Sequence, residues 1–303
     1  MKYKQIIGIA LVFFILIGVF FVSKAQQTTN SLQVHPSNFD LTIQPGQPTT
    51  EIIYLENRTD QNVPIKVDLR NFTALGEEGS VNLTTENTTY SLAAWMNVSP
   101  ATNTISPHAT GKFTVTIKPP FNAEPGGHFG SVVFATMPPK DLKKTGALLS
   151  QEIASLFLVR IPGNTEEKAV IESFDTDKQF YEFGPVNFLI RVRNEGQVHI
   201  QPAGSIIIKG TFGDHYEVPL DRYNILPNSI RRIPAVLHNH ILIGKYTATL
   251  IAAYGTKNEQ LIDGIIFYAF PWRYGLIVFG ILIFLLIIRK RLWKAMKTLA
   301  TGK

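Results

Sequence analysis

Short apolar runs separated by turn residues fill the chain between residues 26 and 270. Apolar residues alternate with polar ones over 113–117 and 186–192, a period of two that is typical of strands with one buried face. No comparably long segment in this region has a helical period. The pattern predicts an all-β protein with two tandem immunoglobulin-like β-sandwiches. We place the first sandwich at 26–163 and the second at 164–270, with the boundary in the turn sequence Pro-Gly-Asn-Thr at 162–165.

Two long apolar runs lie outside this region. The run at 6–22 follows two lysines and precedes small residues, a pattern that predicts a signal peptide over 1–25. The run at 274–288 is followed by Arg-Lys-Arg, which predicts a C-terminal transmembrane helix over 271–289 and a basic cytoplasmic tail over 290–303. A buried helix in a globular core is the alternative for this second run.

Charge is distributed according to this topology. Three of the 29 Lys and Arg residues lie in the first 25 positions and seven lie after residue 270, whereas all 23 Asp and Glu residues lie between. The middle part therefore carries 19 basic and 23 acidic residues, a net charge of −4. A nucleic-acid-binding domain would carry its own basic excess, so we expect no nucleic-acid partner. We expect a single-pass protein of the cell membrane with extracytoplasmic domains.

The chain has no cysteine, which excludes disulfides, thiol chemistry and cysteine metal sites. It has five Asn-x-Ser/Thr triplets, at Asn57, Asn71, Asn82, Asn87 and Asn97. These are glycosylation acceptors in a eukaryotic secretory pathway. They also arise by chance in an Asn- and Thr-rich β protein, and we favour chance because a cysteine-free exported chain is more typical of bacteria.

Recognisable catalytic motifs are missing from the sequence. It contains no nucleophile elbow, no His-Glu-x-x-His and no glycine-rich phosphate loop, so we predict no catalytic residues and no cofactor. His238 and His240 have the spacing of a metal pair on one strand face, but no third ligand is evident, and we predict no metal site. Asp175 and Asp177 have the same spacing and are interpreted as a solvated turn.

Three further features have both a structural and a functional interpretation. The corner from Asn194 to Gly196 breaks the strand at 186–192, and we interpret it as a tight turn with Gly196 at positive φ and His199 packed against it. Gly126-Gly127 is interpreted as a sharp turn before a strand rather than as a phosphate loop. Trp95 is interpreted as a core residue, with a sugar-stacking platform as the alternative.

Several segments, taken in order, resemble the WxL-interacting proteins of Gram-positive bacteria. In the first domain they are FDLTIQPGQPTTEIIYLENRTDQNVPIKVDL, FTALGEEGSVNL and PPFNAEPGGHFGSVVF; in the second they are VNFLIRVRNEG, ILPNS and IGKYTATLIA. The resemblance implies a signal peptide, two immunoglobulin-like domains and a membrane anchor. It also implies a first domain that binds peptidoglycan and a second that binds a surface or host protein.

These observations favour a membrane-anchored, non-enzymatic binding protein that links a wall polymer such as peptidoglycan to a surface or secreted protein. The alternative is a structural or chaperone-like protein that lends a strand edge to a secreted partner. An enzyme is the least favoured class because no reactive constellation is visible.

Overall fold

The computed structural model describes residues 32–137, 151–239 and 241–301. The predicted signal peptide and the segment 138–150 lie outside the described residues. Strands of the first sandwich are β1 (Leu32–His35), β2 (Asn38–Thr42), β3 (Thr49–Asn57), β4 (Val63–Leu75), β5 (Ser80–Thr84), β6 (Met96–Ser99), β7 (Thr102–Ile105), β8 (Thr110–Ile117), β9 (Gly126–Thr136) and β10 (Glu152–Ile161). A short 3₁₀ helix spans Ala93–Trp95.

The second sandwich follows the connection between β10 and β11. Its strands are β11 (Ala169–Thr176), β12 (Phe180–Tyr181), β13 (Val186–Asn194), β14 (Ala203–Gly210), β15 (His215–Pro219), β16 (Ser229–Leu237), β17 (Gly244–Tyr254) and β18 (Glu259–Ala269). One helix, α1 (Trp272–Thr301), follows β18 directly. The all-β, immunoglobulin-like fold class and the C-terminal helix predicted from the sequence are confirmed.

Each sandwich is built from two sheets. In the first, one sheet has the order β1-β3-β8-β6, and the other has the order β2-β10-β9-β4-β5, with β7 also paired to β4. In the second, the sheets have the orders β11-β13-β16 and β12-β18-β17-β14-β15. Neighbouring strands are antiparallel except β2 with β10 and β12 with β18. No strand pairing joins the two pairs of sheets in the described residues.

Alternating residues fill each core, as the sequence predicts. Along β13, Val186, Phe188, Ile190 and Val192 are buried and their neighbours are not. The exception is β9, in which every residue from Gly126 to Phe134 is buried. One face of β9 packs into its own sandwich, and part of the other face is covered by the second sandwich, so both faces are removed from water.

Helix α1 has 30 residues, and its first part, Trp272–Arg289, has a mean hydropathy of 2.0. That part is long and apolar enough to cross a membrane. Its apolar side chains are exposed rather than packed against the sandwiches, which argues against the buried-helix alternative. The helix also continues beyond residue 289 through most of the predicted tail, because nothing at 290–301 breaks it.

Candidate functional site between the two sandwiches

A buried asparagine builds the corner that follows β13. The Asn194 side-chain amide donates to the Val198 and Ile225 carbonyls, each at 2.8 Å, and its oxygen accepts from the Gly196 amide at 2.9 Å. Asn57 has the same role after β3, where its amide donates to the Gln61 carbonyl at 2.7 Å. The predicted turn after β13 is therefore present, and it is held by a side chain rather than only by local backbone geometry.

The prediction that Gly196 has a positive φ is wrong, because it is not among the glycines with that conformation. A glycine is needed here for a different reason. A Cβ at this position would lie 2.6 Å from the Glu166 carbonyl oxygen and 2.8 Å from the Lys168 nitrogen. The flanking amides of Glu195 and Gln197 bind the Lys168 and Glu166 carbonyls at 2.7 and 2.9 Å. The corner is thus packed directly onto the connection between the sandwiches.

His199 packs at the corner as predicted, but it faces the other sandwich. Its ring is 4% exposed, its Nε2 lies 3.0 Å from the Asp40 carboxylate on β2, and it contacts the Phe129 ring edge-on at 5.7 Å between centroids. The hydrogen bond to His199 lowers the pKa of Asp40, and this effect outweighs the opposing desolvation. His199 is therefore a contact residue between the two sandwiches.

The sequence predicts a sharp turn at Gly126-Gly127, and this prediction is wrong. The two glycines are the first residues of β9. The Gly127 amide donates to the Gln197 carbonyl of the corner at 2.9 Å. A Cβ on Gly127 would lie 2.7 Å from the Phe129 ring and 3.3 Å from the Val198 Cα. The two glycine-containing segments, about 70 residues apart in the sequence, therefore meet at the junction, where the glycine lets two backbones come close.

The β4–β5 hairpin forms a second bridge between the sandwiches. Glu77 at its tip accepts two hydrogen bonds from the Arg191 guanidinium, at 2.8 and 2.5 Å, and Glu78 pairs with Arg232 at 2.5 Å. The Arg232 amide also donates to the Glu77 carbonyl at 2.9 Å. The bond from Arg191 holds the pKa of Glu77 below its usual range. The hairpin thus fixes the second sandwich against the edge of the first.

Between these two bridges lies an apolar cleft. Phe72, Phe129 and Leu158 from the first sandwich and Leu226 from the second form a buried cluster. Beside it is a cavity of about 370 Å³. Its principal lining residues are Phe72, Ala74, Val81, Leu156 and Leu158 on the first sandwich and Asn224, Leu226, Ile230 and Arg231 on the second.

Two polar atoms of the cavity lining have no hydrogen-bond partner within the described part of the chain. They are Oδ1 of Asn224, an acceptor, and Nε of Arg231, a donor, and both are shielded from solvent. Buried polar groups are usually paired, because an unpaired one costs about 1–3 kcal/mol. Both atoms are shielded from the cavity as well as from bulk solvent, so they do not form part of its accessible polar surface.

The other candidates from the sequence have structural surroundings or fall outside the description. Asp177 accepts a hydrogen bond from Tyr181, and burial, reinforced by this bond, raises the pKa of Tyr181 to about 12. Trp95 is half-buried and packs on the His128 ring at 4.4 Å. His238 is exposed and His240 lies outside the described residues. No group of three His, Asp or Glu side chains suited to a metal occurs within 32–137, 151–239 and 241–301.

The Asn-x-Ser/Thr triplets divide into two kinds. Asn57 is fully buried and Asn71 is 4% exposed, and the amide of each donates to backbone carbonyls. A glycan cannot be attached to either side chain in the folded chain without breaking those bonds. Asn82, Asn87 and Asn97 are exposed. Asn57 and Asn71 therefore have structural roles.

No family model matches the sequence, and no curated protein matches it. One similar solved structure is described as a chaperone–tip adhesin complex of CFA/I fimbriae biogenesis. It is 14% identical in sequence, the match covers 77% of this chain and 97% of that chain, and the TM-score is 0.41. The class 5 fimbriae chaperone CfaA has 14% identity, coverage of 77% and 98%, and a TM-score of 0.40. The E. coli chaperone DraB has 14% identity, coverage of 77% and 95%, and a TM-score of 0.37. At TM-scores below 0.5 these likenesses do not indicate which surface of this chain binds a partner.

Proposed function

We propose that this chain is a membrane-anchored, extracytoplasmic binding protein that holds an extended segment of a partner protein in the cleft between its sandwiches. The observation that carries the proposal is the open cavity beside Phe72 and Leu226, which residues of both sandwiches line and whose wall is largely apolar. The apolar side chains of an extended segment can pack against this wall, where their surface is removed from water.

The charged groups around the cleft support binding rather than catalysis. Glu77 is paired with Arg191, Glu78 with Arg232, and Asp40 with His199. Each pair joins one sandwich to the other, so these side chains fix the shape of the cleft. A preformed cleft lowers the entropy cost of binding, because fewer groups have to be ordered when the partner arrives.

Strand addition, as in a chaperone-like assembly protein, is the second candidate function. Strand β5 is at the end of its sheet, and its residues Ser80 and Val81 line the cavity. An edge strand presents unpaired backbone groups to which an extended segment can add. A segment seated in the cavity could therefore continue along β5, and the two modes can belong to one binding event.

The resemblance to WxL-interacting proteins suggests peptidoglycan as a further ligand of the first sandwich. No feature of the cleft favours a sugar polymer, and Trp95, the residue suited to stack on a sugar, is packed against His128. Wall binding therefore stays a prediction from the sequence. The experiment for the cleft also tests it, because the two ligand classes give different products.

A photo-crosslinking residue in place of Ala74 tests the proposal in cells that produce the full chain. Ala74 lines the cavity, and its neighbour Leu75, which is 57% exposed and does not line it, provides the matched control on the same strand. We expect a crosslink from position 74 to one polypeptide that position 75 does not give. A crosslink to glycan fragments would favour wall binding instead, and identical products from both positions would contradict a role for the cleft.

A further inference from the structure

The end of the second sandwich next to α1 is joined to that helix without a free linker. Strand β18 ends at Ala269 and α1 begins at Trp272. The Phe270 amide donates to the Tyr181 carbonyl at 2.9 Å, and Arg273 in the helix pairs with Glu182 at 3.4 Å. Since these contacts fix the start of the helix against the sandwich, a helix that spans a bilayer brings this end of the sandwich to the bilayer surface.

This same end carries large exposed apolar side chains, which we name the basal surface. They are Phe180 (73% exposed), Phe212 (74%), Ile243 (43%), Tyr268 (41%) and Phe270 (59%). All five line one open groove of about 850 Å³, and Trp272 of the helix lines it as well. They come from four separate parts of the second sandwich, so the surface is made by the fold rather than by one loop.

The basal surface has the chemistry of a lipid interface. Aromatic rings concentrate at the boundary between headgroups and acyl chains, and lysines beside them suit anionic headgroups. Lys178 and Lys245 line the groove and are exposed. The nearby acids are engaged, since Asp177 binds Tyr181 and Glu182 pairs with Arg273. If the basal surface faced water, these rings would stay hydrated. If it faces lipid, they are removed from water.

We propose that the basal surface lies in the headgroup region of the bilayer, so that the second sandwich contacts lipid as well as being tethered to it. This inference rests on the proposed membrane anchoring by α1. Insertion of exposed apolar side chains by about 5–10 Å is typical of proteins that lie at the interface. The sandwich, and with it the cleft, is then held in one orientation relative to the membrane.

The absence of cysteine in the sequence allows a direct test. Single variants Phe212→Cys, Ile243→Cys, Ile281→Cys and Phe121→Cys of the full chain are labelled with an environment-sensitive fluorophore. They are then placed in phosphatidylcholine–phosphatidylglycerol nanodiscs that contain lipids with a nitroxide quencher. Ile281 lies within the apolar part of α1, and Phe121 in the first sandwich is 88% exposed, which makes it the control for an exposed phenylalanine remote from the helix.

We expect quenching and a blue-shifted emission at positions 212, 243 and 281, and neither at 121. Quenching at 281 without quenching at 212 and 243 would overturn the lipid contact and leave the anchor in place. No quenching at 281 would overturn the anchor, and the lipid contact with it. Equal quenching at 121 and 212 would indicate that the whole chain adsorbs to lipid, which also overturns a specific basal surface. The labelled positions are exposed, so the substitutions leave the cores intact.

Discussion

Gly196→Ala is the sharpest test of how the corner and the connection between the sandwiches are packed. The added methyl group would lie 2.6 Å from the Glu166 carbonyl oxygen and 2.8 Å from the Lys168 nitrogen, and both are backbone atoms that cannot rotate away. To remove this overlap, the corner has to move away from the connection between the sandwiches. Overpacking of this kind costs about 1–3 kcal/mol. If the bonds from Glu195 and Gln197 are lost as well, each adds about 1 kcal/mol.

The assay is thermal and chemical unfolding of the full chain in mild detergent, followed by circular dichroism. A loss of 1 kcal/mol lowers the melting temperature by about 2–4 °C for a β region of this size. Gly264→Ala is the matched control, because its φ is not positive and its Cβ would meet only the Ala248 carbonyl oxygen at 3.7 Å. We expect the control to be as stable as the parent or up to about 1 kcal/mol more stable. Equal stability of Gly196→Ala and Gly264→Ala would refute the close approach at the corner.

Further predictions concern the same junction and the topology. Asn194→Ala removes the side-chain partner of the Val198 carbonyl and of the Gly196 amide, while the Ile225 carbonyl keeps its bond from the Ile200 amide. The unfolding free energy should therefore fall by more than about 2 kcal/mol, against little change for the exposed Asn82→Ala. His199→Gln keeps a polar side chain and should cost less than Asn194→Ala in the same assay; a larger loss would contradict the leading role of Asn194 in holding the corner. The pKa of Asp40 is lowered from 3.8, so the Asp40–His199 contact stabilises the fold above that pH and is lost as the pH falls through the lowered value. The unfolding free energies of Asp40→Asn and the parent should therefore differ by less than about 1 kcal/mol at neutral pH, because the carboxylate is half exposed. The difference should vanish as the pH falls below the lowered pKa of Asp40. A tag placed after Lys303 should resist protease added to wall-stripped cells while the sandwiches are digested, and digestion of the tag in unbroken cells would contradict the topology.

The strands and their cores could be predicted from the sequence because each depends on a local period. The alternation along β13 identifies its buried face without knowledge of its partners. The junction could not be predicted in this way, since the contacts of Gly127 with Gln197 and of Glu77 with Arg191 join residues far apart in the chain.

The error at Gly196 has the same physical origin. The residue type indicates that a side chain is not tolerated, but positive φ and close approach of another segment both produce that restriction. Only the position of the Glu166 carbonyl separates them. Likewise, His199 was recognised as a packing residue, while its partner Asp40 lies 159 positions earlier and no local pattern connects the two.

The central claim, that a partner polypeptide occupies the cleft, is tested most directly by a binding isotherm with the peptide that the crosslink from position 74 identifies. The full chain, the Ala74→Trp variant and the Gly264→Ala control are compared in the same detergent. Ala74→Trp fills the cavity that Phe72 and Leu156 line, whereas Gly264 is remote from it. We predict that the parent and the Gly264→Ala control bind the peptide with equal affinity and that Ala74→Trp, folded to the same melting temperature, does not bind it. Unchanged affinity of Ala74→Trp would show that the partner binds elsewhere and would contradict the account.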